Sequence, residues 1–184
     1  MKNWVILFVR YKYEKKVLEY LKKRLDCNKY QPFLPLRESA RKTGGLFFKR
    51  HDLLFPNYVF IKTNIAPDLI AESLNPVLLD KAAHSEIEKH NIFKLLYYGK
   101  NKKNVVLREK ERIYWENLLD SNFCIQSSGG VIKNGEIIIT AGPLVGLEGK
   151  IKHINRHKRE ALVEMEFMGR PTAMKFMLEI AEKT

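Results

Sequence analysis

Hydrophobic and polar residues follow two different periods along the chain, and the change of period divides the sequence into two parts. Trp4–Val9 is a run of β-branched and aromatic residues, which predicts a strand buried on both faces. In Tyr13–Leu25 the apolar residues recur every three or four positions, which predicts an amphipathic helix with a lysine-rich outer face. After residue 130, short strand-like runs are separated by glycine, proline or charged turns. The pattern predicts an α+β domain followed by a small all-β domain.

The remaining elements of the first part carry weaker signals. Tyr30–Leu36 is an apolar run broken by two prolines, which predicts an edge strand. Arg37–Arg50 is basic with two glycines at its middle, and it fits a hairpin or a mobile loop. Phe55–Ile61 predicts a second strong strand. Pro67 is expected to open a short helix, which Asn75 and Pro76 should end.

A helical pattern and a change of composition set the predicted domain boundaries. Residues 87–98 fit either a helix or a strand, and Arg108–Leu119 predicts a helix that closes the first domain. Ser121–Gly130 is rich in serine and glycine, a composition typical of a linker. We therefore predict a first domain over residues 1–119, a flexible linker over 120–130 and a second domain over 131–184.

The charge of the chain favours a polyanionic partner. The sequence has 33 Lys and Arg against 21 Asp and Glu, a formal net charge of +12. Excess positive charge attracts nucleic acid and speeds encounter with it, so nucleic acid is favoured over a membrane surface. The second domain is locally polarised, because five Lys or Arg, two His and no acid lie between Lys150 and Arg159.

The sequence offers little for catalysis, metal binding or membrane insertion. It lacks the phosphate-binding loop, the dinucleotide fingerprint, the zinc H-E-x-x-H motif and the G-x-S-x-G elbow. Cys27 and Cys124 are too few for a disulfide framework or a four-cysteine zinc site. The longest apolar run is far shorter than the roughly twenty residues that span a bilayer. We therefore expect a monomeric, cytoplasmic, non-enzymatic protein without metal or cofactor.

Two stretches resemble one protein family. Gly135–Ile151, with an apolar strand, an Ala-Gly-Pro turn and two later glycines, resembles the KOW motif, and Met168–Thr172 resembles the turn that follows it. Trp4–Ile6, the basic helix and the segment Leu54–Phe60 (LFPNYVF) resemble the N-terminal domain of NusG. The chain is therefore identified as a member of the NusG family. The resemblance implies an N-terminal α/β sandwich followed by an SH3-like β-barrel.

The resemblance also implies sites in the first domain. In the family this domain packs on the clamp helices of the largest subunit of RNA polymerase. The matching strand carries four expected contact residues, namely Phe55, Pro56, Tyr58 and Phe60. The alternative that Tyr58 and Phe60 belong to the domain's own core stays open. Four basic residues are expected to contact the non-template DNA strand, although a solvated helix face is equally consistent with them: Arg10, Lys12, Lys15 and Lys16.

Within the family, LFPNYVF resembles the RfaH group and Ile154–Arg159 resembles the LoaP group of antiterminators. This implies an antitermination factor whose KOW barrel binds structured nascent RNA, with a ribosomal protein as an alternative partner. The expected RNA-binding residues are Lys150, Lys152, His153, Arg156, His157, Lys158 and Arg159, unless this basic turn simply faces solvent. The competing hypotheses are a general elongation factor without sequence preference and a ribosome-associated KOW protein.

Overall fold

The structure is a computed structural model, and it describes residues 1–80, 93–97 and 104–183. The chain divides into two compact units. One unit comprises Met1–Pro35 and Phe55–Ile113, and the other comprises Leu36–Leu54 and Tyr114–Thr184. By sequence, the segment 87–98 fits a helix or a strand. Most of it lies outside the described residues, and the described part contains a short strand.

The elements alternate between strands and short helices in the first half, and they are nearly all strands in the second half. In chain order they are β1 (Asn3–Val9), α1 (Glu14–Arg24), β2 (Tyr30–Phe33), β3 (Leu36–Thr43), β4 (Leu46–Leu53), β5 (Tyr58–Thr63), α2 (Ile70–Leu78), β6 (Phe93–Leu95), α3 (Glu109–Leu118), β7 (Cys124–Ile125), β8 (Ser128–Lys133), β9 (Glu136–Ala141), a 3-10 turn (Glu148–Lys150), β10 (Ile151–Asn155), β11 (Glu160–Phe167) and β12 (Arg170–Lys183). None of the helices in the described residues is long and apolar enough to cross a membrane.

The first unit is built on a four-stranded sheet of order β2-β5-β1-β6. The two strongest predicted strands are its central pair, and they run antiparallel with Ile6 opposite Phe60. A central strand is covered on both faces, which explains why β1 and β5 have almost unbroken apolar sequences. The ring of Trp4 packs edge-on against Phe33, with centroids 5.1 Å apart. Helix α1 buries Val17, as its predicted amphipathic pattern requires.

The predicted strand over Phe55–Ile61 begins later in the structure, at Tyr58. The preceding residues form a turn in which Asn57 has φ +73°, a left-handed conformation that asparagine tolerates better than most residues. The Asn57 amide donates to the Glu14 carboxylate at 2.8 Å, and its carbonyl accepts the Val9 amide at 2.7 Å. The turn thereby joins the end of β1 to the start of α1.

The expected end of the second helix at Asn75 and Pro76 is wrong, because α2 continues to Leu78. A proline inside a helix removes one backbone hydrogen bond. The helix is nevertheless held by apolar burial, since Leu74 is fully buried and Leu78 nearly so. The Tyr20 hydroxyl also donates to the Val77 carbonyl at 3.0 Å, beyond the proline. Tertiary packing therefore overrides the local stop signal.

The second unit begins with a hairpin formed by β3 and β4. The strands pair in register from Leu36 opposite Leu53 to Thr43 opposite Leu46. Gly44 and Gly45 form the two-residue connection, and both have positive φ, as this tight turn type requires. Of the two sequence interpretations, hairpin or mobile loop, the structure has the hairpin. Strand β3 also pairs in parallel with β7, with Leu36 opposite Cys124.

The rest of the second unit is a five-stranded sheet of order β10-β11-β12-β8-β9. β8 and β9 form one antiparallel hairpin, β10, β11 and β12 form an antiparallel meander, and β12 reaches back to pair in parallel with β8, Leu178 opposite Ser128. This return pairing is how a small meander closes toward a barrel. Its core includes Val163, Phe176 and Leu178, all of which are buried.

The structure differs from the flexible linker expected over residues 120–130. This segment holds β7 and the start of β8, and Cys124 is buried. The Asp120 carboxylate accepts the Cys124 amide at 2.9 Å and organises the preceding loop. A β-carbon added at Gly130 would lie 2.7 Å from the Ile138 carbonyl oxygen, so glycine permits a close strand approach here. Serine and glycine serve packing in this segment, which composition alone does not reveal.

Candidate nucleic-acid interface

The basic turn between β10 and β11 is built by local hydrogen bonds. The Lys158 amide donates to the Asn155 side chain at 2.9 Å, and the Arg159 amide donates to the Arg156 carbonyl at 3.2 Å. Strand β10 is an edge of its sheet. The turn therefore presents Arg156, His157 and Lys158 at the surface, where all three are exposed.

Four of the seven residues expected to bind RNA converge on one groove, of about 1120 Å³. These four residues are His153, Arg156, His157 and Arg159. The groove is larger than the about 300–1,000 Å³ of typical small-molecule pockets, which suits an extended ligand. The remaining wall is formed largely by residues for which the sequence suggested no binding role.

The other three expected RNA-binding residues lie outside the groove lining. The Lys150 ammonium lies 4.6 Å from the ring centroid of Tyr114 and donates to its hydroxyl at 3.3 Å. Lys152 forms an exposed ion pair with Glu164 at 3.3 Å. Lys158 is exposed and does not line the groove. The structure thus separates the basic cluster into a groove-lining group and a group elsewhere on the surface.

A second wall of the groove comes from the β3–β4 hairpin. Lys42 and Phe47 line it and face each other across the two strands. The Arg159 guanidinium carbon lies 4.0 Å from the Phe47 ring centroid, and the Lys42 ammonium lies 5.6 Å from the same centroid. Sequence reasoning missed this wall. The available signal was the mixture of basic and aromatic residues in the hairpin, RKTGGLFFKR.

The groove is predominantly cationic. Lys42, Arg156 and Arg159 contribute positive charge, and Glu179 contributes one carboxylate, which pairs with Arg159 at 3.4 Å. Within the described part of the chain, neither Lys42 nor Arg156 has a carboxylate at ion-pair distance. Cations without internal partners beside an aromatic ring are suited to phosphate contacts and base stacking.

A nearly buried carboxylate anchors the hairpin within the second unit. Glu38 on β3 accepts a hydrogen bond from the Lys49 ammonium at 3.0 Å and another from the Ser127 amide at 2.8 Å. Burial alone would raise the pKa of Glu38, but these hydrogen bonds outweigh burial and hold the pKa below its ordinary value. The carboxylate is therefore ionised at neutral pH and connects β3 to the residues that precede β8.

The four residues expected to contact polymerase fall into two environments. Phe55 and Phe60 are buried in the core of the first unit, with ring centroids 5.3 Å apart. In this conformation the two side chains support the surface and do not form it, and their polymerase contact stays a prediction. Pro56 is exposed, and Tyr58 is half-buried with its ring 5.9 Å from that of Phe8.

The four residues expected to contact DNA are all exposed: Arg10, Lys12, Lys15 and Lys16. Three of them lie over tyrosine rings. Arg10 and Lys16 are 5.7 and 5.3 Å from the Tyr13 centroid, and Lys12 is 5.6 Å from that of Tyr11. Tyr11 is 61% exposed. Exposed tyrosines with adjacent cations can contact both bases and phosphates, and the DNA contact of these residues stays a prediction.

The first unit is an α/β domain, and the second is a small β domain that carries a basic groove. The protein therefore belongs to the class in which an α/β domain is joined to a small β-barrel domain. Residues 2–113 match the family model described as transcription termination factor NusG, and residues 133–166 match that of the KOW motif. The chain belongs to the NusG family. Members of this family are transcription factors that interact with RNA polymerase. The expected fold class, a NusG-like N-terminal domain followed by a KOW-containing β domain, is confirmed.

Among solved structures, one described as "Domain interaction in Thermotoga maritima NusG" is similar at 18% sequence identity, with a TM-score of 0.49. The similarity covers 96% of this chain and 93% of that one. No curated protein matches the chain. The resemblance to the RfaH and LoaP groups stays a prediction.

Proposed function

We propose that the protein is a specialised antitermination factor of the NusG family, acting in the cytoplasm. Its first unit binds the clamp helices of RNA polymerase, and its basic groove binds a structured element in nascent RNA that recruits it to selected transcripts. The observation that carries this proposal is the convergence of His153, Arg156, His157 and Arg159 on one groove beside an aromatic ring.

The proposed mechanism uses binding energy and no chemical step. A protein that binds one state of the polymerase clamp more tightly than the other shifts the clamp equilibrium by that difference in affinity. Holding the clamp closed suppresses pausing and lets polymerase pass terminators. The RNA contact raises the local concentration of the factor at polymerases that have just transcribed the recruiting element.

The proposed polymerase contact centres on Pro56 and Tyr58, with Phe8 beside them. An aromatic side chain at the centre of an interface commonly contributes about 2 kcal/mol or more, a change of roughly thirtyfold in affinity. Tyr58→Ala should therefore weaken polymerase binding by about that factor, whereas Tyr58→Phe should retain most of it. The measurement is biolayer interferometry with immobilised polymerase. Equal affinity of a folded Tyr58→Ala variant and the wild type would refute this contact.

The recruitment step can be tested in cells by crosslinking the protein and sequencing the attached RNA, with a probe for polymerase in the same pull-down. Polymerase together with RNA concentrated in a few leader hairpins supports the proposal. Polymerase with RNA spread evenly over transcripts would make the protein a general elongation factor. Ribosomal RNA without polymerase would replace the proposal by the ribosome-associated alternative.

The groove itself can be tested with a double substitution, Arg156→Ala and Arg159→Ala, against Lys158→Ala as a matched control outside the groove. Each lost phosphate contact to single-stranded nucleic acid lowers the slope of log affinity against log salt by about 0.7. We expect the double variant to lose about twice that slope and the control to bind nearly as the wild type does. A double variant with unchanged RNA affinity would refute the groove as the RNA site.

A further inference from the structure

We propose that the β3–β4 hairpin is the second half of the RNA site, and that the groove takes unpaired nucleotides and not a duplex. The inference rests on the proposed RNA-binding function of the groove and names the part of the RNA that the groove binds. It also assigns a binding role to a segment that lies in the first half of the sequence, far from the KOW motif.

The hairpin presents two similar pairs of residues on its two faces. Lys42 lies opposite Phe47, and Arg41 lies opposite Phe48. Residues directly opposite each other share a face, and neighbouring residues along a strand point to opposite faces. Lys42 and Phe47 line the groove, whereas Arg41 and Phe48 do not. The same chemistry therefore occurs on both faces, but only one pair meets the basic turn.

Lys42 of the hairpin and Arg159 of the basic turn both lie over the ring of Phe47. Phe47 is half-buried, with the Arg159 guanidinium 4.0 Å and the Lys42 ammonium 5.6 Å from its centroid. An arginine plane over an aromatic ring forms a flat, cationic stack on which a base can be placed. Such stacking requires bases that are not paired and stacked in a helix, because the bases of an A-form duplex are enclosed.

Small residues form part of the groove lining. They are Gly129 and Gly130 of β8 and Thr140 of β9. Lys42 and Arg156 both line the groove, and neither has a carboxylate partner among the described residues. A strand running between the two walls places its phosphates near these cations while its bases reach the stack. This combination of cationic walls and an aromatic platform is the common design for single-stranded nucleic acid.

The experiment uses the full-length protein and fluorescence anisotropy with three labelled probes: oligouridylate, a blunt RNA duplex of equal length, and oligothymidylate. The wild type should prefer oligouridylate over both others. Phe47→Ala should weaken oligouridylate binding roughly fivefold or more, the effect of losing one base stack, and Phe47→Tyr should restore it. Lys42→Ala should lower the salt slope by about 0.7.

The other face of the hairpin supplies matched controls. Phe48→Ala and Arg41→Ala remove a phenylalanine and a basic side chain from positions outside the groove lining, so both should bind as the wild type does. If Phe47→Ala and Lys42→Ala bind normally while Arg156→Ala binds weakly, the barrel alone forms the RNA site and the inference is wrong, although the proposed function stands.

Other results overturn different parts of the inference. Equal binding of the duplex and oligouridylate would refute the preference for unpaired nucleotides. Tighter binding of oligothymidylate would identify a DNA strand as the occupant and refute the RNA assignment. A wild type that binds none of the probes, nor the leader RNA recovered by crosslinking, would remove the proposed function together with the inference.

Discussion

The carboxylate of Glu38 should stabilise the second unit, and Glu38→Gln isolates this contribution. The side chain is only 8% exposed and accepts hydrogen bonds from Lys49 and from the backbone of Ser127. Glutamine has nearly the same size and retains an oxygen that can accept the Ser127 amide. The substitution therefore removes mainly the negative charge opposite the Lys49 ammonium.

The magnitude follows from the exposure of the two partners. A hydrogen bond to a charged group contributes about 1.5–3 kcal/mol to stability. The Lys49 side chain is 54% exposed, so water replaces part of the lost interaction and the contribution lies at or somewhat below the low end of that range. We expect Glu38→Gln to lower the free energy of unfolding by about 1–1.5 kcal/mol. For a unit of this size, that is a decrease in melting temperature of about 4–12 °C.

The pH dependence of stability supplies a second signature of the same group. The pKa of Glu38 is lowered in the folded state, from an ordinary value of 4.5. Its contribution is thus fully present above the unfolded pKa and is lost as pH falls through the lower folded pKa. Asp52, whose pKa is also lowered, acts in the same direction. The wild type should lose stability on acidification more steeply than Glu38→Gln.

Urea unfolding at neutral and acid pH measures both effects, and hydrogen exchange of the β3–β4 peptide reports the local change. The matched control is Glu19→Gln, which removes an exposed ion pair with Lys22 and should not change the unfolding midpoint. An unchanged midpoint and unchanged exchange in Glu38→Gln would refute the reasoning that this carboxylate anchors the hairpin.

Three further predictions concern a core leucine, a turn glycine and the thiols. Leu74→Ala should cost about 2–5 kcal/mol in urea unfolding, because Leu74 is fully buried. Gly142→Ala should destabilise by about 1–3 kcal/mol or more in the same assay, since its φ is +93° and a β-carbon would lie 2.7 Å from the backbone of Ser127 and Ser128. Burial and nearby carboxylates raise the pKa of Cys124 to about 11, whereas Cys27 is exposed. Mass spectrometry after iodoacetamide treatment near neutral pH should therefore find Cys27 alkylated first, and preferential alkylation of Cys124 would contradict its burial.

The sequence predicts the elements that periodicity alone determines. Strand β1 and helix α1 have clear apolar patterns, and both form where expected. The turn at Asn57 and the continuation of α2 past Pro76 depend on tertiary contacts, which local patterns do not contain. The segment 120–130 shows the same limit, because Ser127 bonds to Glu38 and the glycines of β8 pair with β12, both distant in sequence.

Only part of the candidate site could be predicted from the sequence. The barrel half of the groove was predictable, because a run of basic residues without acids is visible in the sequence. The hairpin half was not, since the meeting of Phe47 with Arg159 depends on how β3 pairs with β7 and packs beside the barrel strands. The burial of Phe60 likewise follows from how β5 packs within the first unit, which its sequence pattern alone does not contain.

The anchor and the groove are coupled through the register of the hairpin. Glu38 pairs with His51 on β4, and Lys42 pairs with Phe47 further along the same two strands. A shift of one residue would move Phe47 to the opposite face, because side chains alternate along a strand. An apolar contact in place of the Glu38 carboxylate would supply comparable stability, but it would not require particular hydrogen-bond partners. The charge-assisted bonds to Lys49 and Ser127 are directional, so they favour the single register in which Phe47 faces Arg159.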